Sequence, residues 1–217
     1  MITLYYGSGS PYAWRVQLAL EHKALDYERK VLSFTAGDTR KPEFVALNPR
    51  HRVPVIVDGD FVLYESNAIV EYLDDAYAGR GQPLFPGDAR ERALVRRLIA
   101  EADNYFDKAT DPVVDEAFAK KPEERDSARL AAALDALREE TALFTRYMRG
   151  DYLAGALSAA DFALYPMVGF LDRCATRLPH FEPASVLTPQ LAAWKARIEA
   201  LPYFDKTYPP HWKKQES

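Results

Sequence analysis

Residues 79–88 divide the chain into two parts whose sequence patterns differ. The segment reads GRGQPLFPGD, and its glycine and proline content is typical of a linker. Before it, short apolar runs alternate with helical patterns, and after it the apolar residues recur at helical spacing. We therefore predict an α/β domain over residues 1–80 and an all-helical domain over residues 88–217.

The first part is predicted to contain its elements in the order β-α-β-α-β-β-α. Residues 2–6 and 53–57 form apolar runs of strand length. Asp58-Gly59 is a strong hairpin signal, and it predicts a return strand at residues 61–63. A strand that leads through a helix to another strand favours a parallel pair, so the hairpin adds an antiparallel edge to the sheet.

The first helix pattern follows the first strand. Ala13, Val16 and Leu20 recur at spacings of three and four, which predicts an amphipathic helix. Arg15 and Gln17 lie off this apolar stripe.

The single cysteine limits the sulfur chemistry of the chain. Cys174 alone cannot form an intramolecular disulfide, a CxxC pair or a four-cysteine zinc site. We predict Cys174 to be a small buried core residue, so reactive sulfur would come from a ligand. His22 and His180 have no partners at ligand spacing, and no metal site is predicted.

The charge balance disfavours two classes of partner. The chain has 28 Lys and Arg against 32 Asp and Glu, a net charge of −4. A general attraction to nucleic acid or to anionic lipid is therefore not expected. No run approaches the ~18 apolar residues of a membrane span, and the first residues lack the pattern of a signal peptide. We expect a cytoplasmic protein.

Ser10 lies where the first strand gives way to the first helix. A helix N-terminus has unpaired N–H groups and a partial positive charge, so it favours an anion. A serine there can donate its hydroxyl proton to that anion. An ordinary N-cap explains Ser10 equally well, and this feature alone favours the cap.

A second polar segment, residues 48–55, reads NPRHRVPV. Pro54 stands at the start of a strand, where it is either cis or an edge-strand proline in trans. A cis bond leaves the preceding backbone N–H and C=O available to a ligand, and the sequence leaves both isomers open. His51 and Arg52 precede it, and charged loop residues are commonly just solvated.

A third polar segment, residues 64–69, reads YESNAI at the start of a predicted helix. Acid and hydroxyl groups in this position are usually helix caps. The functional alternative is that Glu65 binds an ammonium group while Ser66 and the helix N-terminus bind a carboxylate. Together they would hold the headgroup of an amino acid.

In this order and spacing, the three segments resemble the cytosolic glutathione transferase superfamily. The turn beginning Ser10-Pro11-Tyr12 is similar to the active-site turn of its serine-type classes, especially tau. The spacing from Asn48 to Val53-Pro54, and the helix start at residues 65–69, are more similar to the zeta class. The resemblance covers the whole chain, and it implies a thioredoxin-like N-terminal domain, an all-helical C-terminal domain and a homodimer.

The resemblance implies that glutathione is the co-substrate and that its thiolate is the nucleophile. Ser10 matches the catalytic serine, which stabilises the thiolate by hydrogen bonding. The positions implied to bind the rest of glutathione are His51, Arg52, Val53, Pro54, Glu65 and Ser66. Among them, Val53 would pair its backbone with the peptide, using a cis bond to Pro54. His51 and Arg52 would serve the glycine carboxylate.

The second substrate is expected to be a hydrophobic electrophile bound between the domains, with Tyr12, Tyr105 and Phe106 as candidates for the wall. Aromatic residues at helical spacing more often belong to the core. The tail around Tyr208–Trp212 has two interpretations: it folds back over the cleft, or it is a frayed terminus.

Another motif, at Ser158 and Asp161, predicts a capping box at the start of a helix, with a structural and not a catalytic role. The glutathione transferase superfamily has the same box in its helical domain.

The leading functional hypothesis is conjugation of glutathione to an electrophilic carbon. A glutathione-dependent isomerase of the maleylacetoacetate type and a peroxidase are alternatives. The zeta signature has a Ser-Cys pair where this chain has Pro11 and Tyr12, which argues against the isomerase. A non-catalytic binding or dimerisation module is the alternative of a different class.

Overall fold

The computed structural model describes residues 1–213. By their contacts, the residues form two compact units: Met1–Phe85 together with the chain from Pro202 onward, and Pro86–Leu201. The division after Phe85 falls inside the glycine- and proline-rich segment. The second division differs from the predicted helical range of 88–217, because aromatic side chains of the last residues pack on the first helix.

The first unit forms a four-stranded sheet with helices. In chain order its elements are β1 (Ile2–Tyr6), α1 (Pro11–His22), β2 (Tyr27–Val31), α2 (Pro42–Val45), β3 (Val55–Asp58), β4 (Phe61–Tyr64) and α3 (Ser66–Ala76). The strands lie in the order β2-β1-β3-β4. β1 is parallel to β2, whereas β3 is antiparallel to both β1 and β4. The predicted element order and the antiparallel hairpin edge are confirmed.

The second unit is built from helices. They are α4 (Ala89–Glu101), α5 (Asp107–Val114), α6 (Ser127–Tyr147), α7 (Ala159–Ala175) and α8 (Pro189–Glu199), with π-helical turns at Ala102–Phe106 and Asp115–Ala119. Within its described residues, strand-like pairing is limited to isolated bridges at residues 152–156. The all-helical prediction is confirmed. A last short helix, α9 (Phe204–Thr207), belongs to the first unit.

The register of the sheet brings the three polar segments to one edge. Val55 pairs with Tyr5 of β1 on one side and with Tyr64 of β4 on the other. Because β3 runs opposite to both neighbours, the C-terminal ends of β1 and β4 lie beside the N-terminal end of β3. The turn before α1, the loop that ends at Pro54 and the start of α3 therefore emerge from the same edge.

α1 is buried on more sides than its apolar stripe predicts. Ala13, Val16 and Leu20 are fully buried as expected, but Arg15 and Gln17 are only 2% and 5% exposed. α1 contacts both α3 and α9. These elements cover the face that a helix packed on one sheet would leave in water.

The segment predicted as a linker is partly fixed to the first unit. Asp74 of α3 accepts hydrogen bonds from the backbone N–H groups of Leu84, at 2.8 Å, and Phe85, at 3.2 Å. It also forms a buried ion pair with Lys23 at 3.3 Å. The cation and the two N–H donors compensate the desolvation of the Asp74 carboxylate. The chain thus leaves the first unit at a defined place.

Asp161 organises the helical unit. The capping box with Ser158 forms at the start of α7, and the Asp161 carboxylate accepts from the Ser158 N–H at 2.9 Å. The same carboxylate accepts from the Leu153 N–H at 3.0 Å and from the Trp194 indole at 2.8 Å. Burial raises the pKa of Asp161 to about 6, although these donors favour the charged form. One side chain thus joins a loop, α7 and α8.

We expect Asp161→Ala to lower the free energy of unfolding by about 3 kcal/mol or more, because its three buried N–H donors each lose a partner at about 1–3 kcal/mol. Chemical denaturation measures the loss. Asp172→Ala is the matched control, since Asp172 lies on the same helix but pairs near the surface with Lys195 at 2.9 Å. That change should cost under about 1 kcal/mol. Equal losses for the two variants would contradict the role of Asp161.

Candidate active site

The turn before α1 presents Ser10 at a helix N-terminus. The Ser10 N–H donates to the Gly7 carbonyl at 3.0 Å and closes the turn. Its hydroxyl oxygen accepts from the Ala13 N–H at 3.4 Å, so Ser10 is the N-cap of α1, with Pro11 in the first helical position. Accepting this bond leaves the hydroxyl proton available to a ligand. The cap and the catalytic interpretation are therefore compatible.

The loop before β3 is held by Asn48. The buried Asn48 side chain donates to the Arg52 carbonyl at 2.7 Å and accepts from the Arg50 N–H at 2.9 Å. The Val53–Pro54 bond is cis, one of the two isomers that the sequence left open. The predicted ligand-binding residue Val53 thus sits at the sheet edge, directly before the buried start of β3.

His51 and Arg52 are both exposed in this loop. His51 has φ +58 and its Nδ1 lies 3.1 Å from the Thr39 carbonyl, an acceptor, so Nδ1 carries a proton. The other ring nitrogen then donates only when the imidazole is charged. Arg52 carries five N–H donors in a planar fork that matches a carboxylate, so it is the better donor to an anion.

Glu65 at the start of α3 does not act as a cap. It occupies the N-cap position, yet its side chain makes no capping hydrogen bond. Its backbone has φ +73 and ψ 109, a conformation that costs a non-glycine residue of order 1–3 kcal/mol. Such strain persists where the surroundings enforce it, and it is concentrated at functional sites. The exposed carboxylate of Glu65 thus lies at the sheet edge and accepts no capping hydrogen bond from the N-terminus of α3.

Arg15 joins the two helices that start at this edge. Its guanidinium is buried and donates to the Ser66 hydroxyl at 3.4 Å and to the Asn67 side-chain oxygen at 2.5 Å. The N-terminal turns of α1 and α3 are thereby fixed together. This role of Arg15 was not predicted, because helical periodicity places the residue off the apolar stripe.

The three candidates for the electrophile wall have different surroundings. Tyr12 is half-buried, with the Arg15 guanidinium 5.0 Å from its ring centre. Tyr105 is 58% exposed. Phe106 is fully buried and packs edge-on against Phe144 at 5.9 Å between ring centres. The prediction for Phe106 is corrected, because its side chain offers no surface to a ligand.

Two further aromatic residues lie on the Ser10 turn and were not assigned by the sequence analysis. Phe34 is 56% exposed, and its ring contacts Gly7 so closely that a side chain at Gly7 would overlap it. Trp212 lies against Gly9. The chain tail therefore folds back onto the first unit, and it is not frayed over its described residues. Helical or strand periodicity carries no signal for such contacts, since Phe34 lies in an irregular segment and Trp212 in the short 3₁₀ turn Pro210–Trp212.

Three further features of the described residues concern the cysteine, candidate metal ligands and the apolar character of the helices. Cys174 is buried as predicted, and burial raises the pKa of its thiol to about 12. Within residues 1–213 there is no group of three or more His, Cys, Asp or Glu side chains placed to hold a metal ion. In the same range, no helix has the length and apolar character needed to cross a bilayer.

Comparisons with known proteins agree with this architecture. Residues 9–76 match the family model for the N-terminal domain of glutathione S-transferase, and residues 121–197 match the model for its C-terminal domain. Glutathione S-transferase A of Pleuronectes platessa is 31% identical over 216 residues, which covers 97% of this chain and 92% of that protein. Glutathione S-transferase 3 of Zea mays is 33% identical over 219 residues, covering 95% and 92%.

A solved structure gives the same result. A glutathione S-transferase from the Antarctic clam Laternula elliptica matches with a TM-score of 0.84 at 31% identity, covering 100% of this chain and 95% of that one. The matches span both units of the fold and extend over nearly the full length of the relatives. This chain belongs to the glutathione S-transferase family.

Proposed function

We propose that this chain is a glutathione transferase that binds glutathione at the sheet edge and adds its thiolate to a hydrophobic electrophile. The observation that carries the proposal is the register of the sheet, which gathers the Ser10 turn, the Val53–Pro54 loop and the Glu65–Ser66 helix start. Each segment supplies a different kind of group, and glutathione has a matching part for each.

The γ-glutamyl headgroup is proposed to bind at the start of α3. Its carboxylate would accept hydrogen bonds from the Ser66 hydroxyl and from the backbone at the N-terminus of α3, where the helix dipole favours an anion. Arg15, which donates to Ser66, adds positive charge behind that hydroxyl. The exposed Glu65 carboxylate would take the ammonium group. The ligand's ammonium group and its carboxylate would thus bind to the two successive residues Glu65 and Ser66.

The peptide part of glutathione is proposed to pair with the backbone of Val53, next to the cis bond to Pro54. The glycine carboxylate lies at the far end of the tripeptide and would meet Arg52. The Nδ1–H of His51 already donates to the Thr39 carbonyl, which leaves only its other ring nitrogen for the ligand. We therefore assign the larger share of this contact to Arg52.

The sulfur is proposed to lie at the start of α1, where Ser10 donates to it. A free thiol has a pKa of about 8.5 and is mostly protonated at neutral pH. A hydroxyl donor and the positive end of a helix favour the thiolate, so both lower that pKa. Ser10 acts as an electrostatic stabiliser in this account, and the nucleophile is the ligand's own sulfur. The presence of Ser10 supports a serine-type member, with tau or zeta character as the finer proposal.

For the second substrate we keep Tyr12 and Tyr105 as proposed contacts and add Phe34. Phe34 presents an exposed aromatic face beside the turn that carries Ser10.

The functional division into a glutathione-binding domain at residues 1–80 and an electrophile-binding domain at residues 88–217 stays a proposal. So does the role of Ser158 and Asp161 as a purely structural pair.

A homodimer in the cytoplasm is the proposed state of the protein. β4 is an edge strand, and its Phe61 and Val62 are 44% and 37% exposed. Exposed apolar side chains on an unpaired strand edge favour association with another surface. A second copy of this chain is the partner proposed for it.

The first test removes the proposed thiolate donor. Ser10→Ala should raise the pKa of the bound glutathione thiol by about one unit, and each unit corresponds to about 1.4 kcal/mol and a tenfold change. Thiolate absorbance, followed against pH at saturating glutathione, measures the shift, and kcat/KM at pH 6.5 should fall by about tenfold. Ser185→Ala, at an exposed serine of the helical unit, is the control. An unchanged thiol pKa in Ser10→Ala would remove Ser10 from the mechanism.

The second test separates backbone strain from binding at Glu65. Glu65→Gly relieves the positive φ, so the melting temperature should stay the same or rise. It also removes the carboxylate proposed for the ammonium group, and the dissociation constant of glutathione should increase at least about tenfold, as for the loss of one ionic hydrogen bond. Glu43→Gly, at an exposed acid of the same unit, controls for loss of charge. Calorimetry that finds wild-type affinity in Glu65→Gly would exclude the assignment.

A further inference from the structure

The last described residues of the chain lie on the turn that carries Ser10. A Cβ atom built on Gly9 would sit 2.9 Å from the Trp212 indole, so the ring rests directly on the glycine backbone. Gly9 has φ +88, in the region that favours glycine. The neighbouring Ser8 hydroxyl lies 3.1 Å from Nδ1 of His211. Trp212 and His211 therefore contact the two residues that immediately precede Ser10.

This C-terminal strap, residues 207–213, is anchored on α1 through Trp14. The fully buried Trp14 indole N–H donates to the Thr207 hydroxyl at 2.9 Å. The Trp14 ring meets Tyr208 and Trp212 edge-on, with centres 5.7 and 5.6 Å apart. Edge-to-face aromatic pairs contribute about 0.5–1.5 kcal/mol beyond burial. The helix that presents Ser10 at its first turn thus also fixes the position of Trp212.

The turn is held from two sides. The Phe34 ring covers Gly7, and the Trp212 ring covers Gly9. Both glycines lack a side chain that would limit their backbone torsions, so the two rings supply the restraint. Since Ser10 follows Gly9 and its N–H bonds to Gly7, the position of the Ser10 hydroxyl depends on the torsions of this turn.

The strap does not fill all the space beside the turn. A cavity of about 260 Å³ is lined by Ser8 and Gly9 of the turn and, among others, by Tyr208 and Lys213 of the strap. The strap contacts the turn through Trp212 and His211.

We propose that Trp212 and His211 are positioning residues that hold the Ser8–Gly9 backbone so that the Ser10 hydroxyl points at the bound sulfur. The proposal rests on the function proposed above. A hydrogen bond weakens steeply when its angle falls below about 120°, so a small rotation at Gly9 weakens the stabilisation of the thiolate. The strap then acts on the reaction without touching the substrate.

The test combines Trp212→Ala with the conservative variant Trp212→Phe and the control Lys213→Ala, which changes the adjacent exposed residue. Trp212→Ala should raise the pKa of the bound glutathione thiol by about one unit, a tenfold effect. At a pH below the pKa of the bound thiol, where glutathione binds with its thiol protonated, the dissociation constant should stay within about twofold, since the headgroup contacts are intact. Trp212→Phe should recover most of the wild-type pKa, and Lys213→Ala should leave it unchanged.

Hydrogen exchange, measured without glutathione, gives a second readout. In Trp212→Ala the amides of residues 7–14 should exchange at least about tenfold faster, while those of β3 stay protected and show that the protein is folded. Unchanged exchange in the turn overturns the proposal. Faster exchange with an unchanged thiol pKa also overturns it, because the strap is then only structural. The wild-type protein tests the proposed function itself: if glutathione gives no thiolate absorbance with the wild type, the proposed function fails independently of the strap.

Discussion

The pairing of Val55 with Tyr5 on one side and Tyr64 on the other determines the chemistry available to the first unit. Backbone hydrogen bonds set this register, and a slip of one residue would turn every side chain of β3 to the opposite face. The ends of three strands consequently meet at one edge. A hydroxyl at a helix start, a cis peptide and an acid on strained backbone come together there, although up to 55 positions in the sequence separate them.

Side-chain hydrogen bonds from buried residues hold the segments at that edge in place. Arg15 ties the first turn of α3 to α1, and Asn48 fixes the loop that precedes the cis bond. Asp74 anchors the chain where it leaves the unit, and the helical unit has its own organising carboxylate in Asp161. Groups that are already in place lose little conformational entropy when a ligand binds, so more of the interaction energy appears as affinity. A flexible tripeptide such as glutathione needs a site of this kind.

Much of this arrangement was predictable from the sequence, and the exceptions have physical causes. The alternation of apolar residues and the Asp58-Gly59 turn are local signals, and they gave the element order. Burial of Arg15 was missed because periodicity describes one covered face, whereas α1 is also covered by α3 and α9. Phe106 was misassigned because helical spacing does not tell which aromatic residue faces the core. Phe34 and Trp212 contact a turn that is distant from them in the chain, and neither lies in an element long enough to show a periodic pattern.

Cys174 is buried, and burial raises the pKa of its thiol to about 12, so we propose that the reactive sulfur comes from the ligand. The central claim is that the three segments at the sheet edge form one glutathione site. Titration of the isotope-labelled protein with glutathione, followed by amide NMR, tests it most directly. The amides of Ala13, Val53 and Ser66 should shift together along one binding curve. Shifts confined to a different part of the chain, or separate curves for the three amides, would contradict the account.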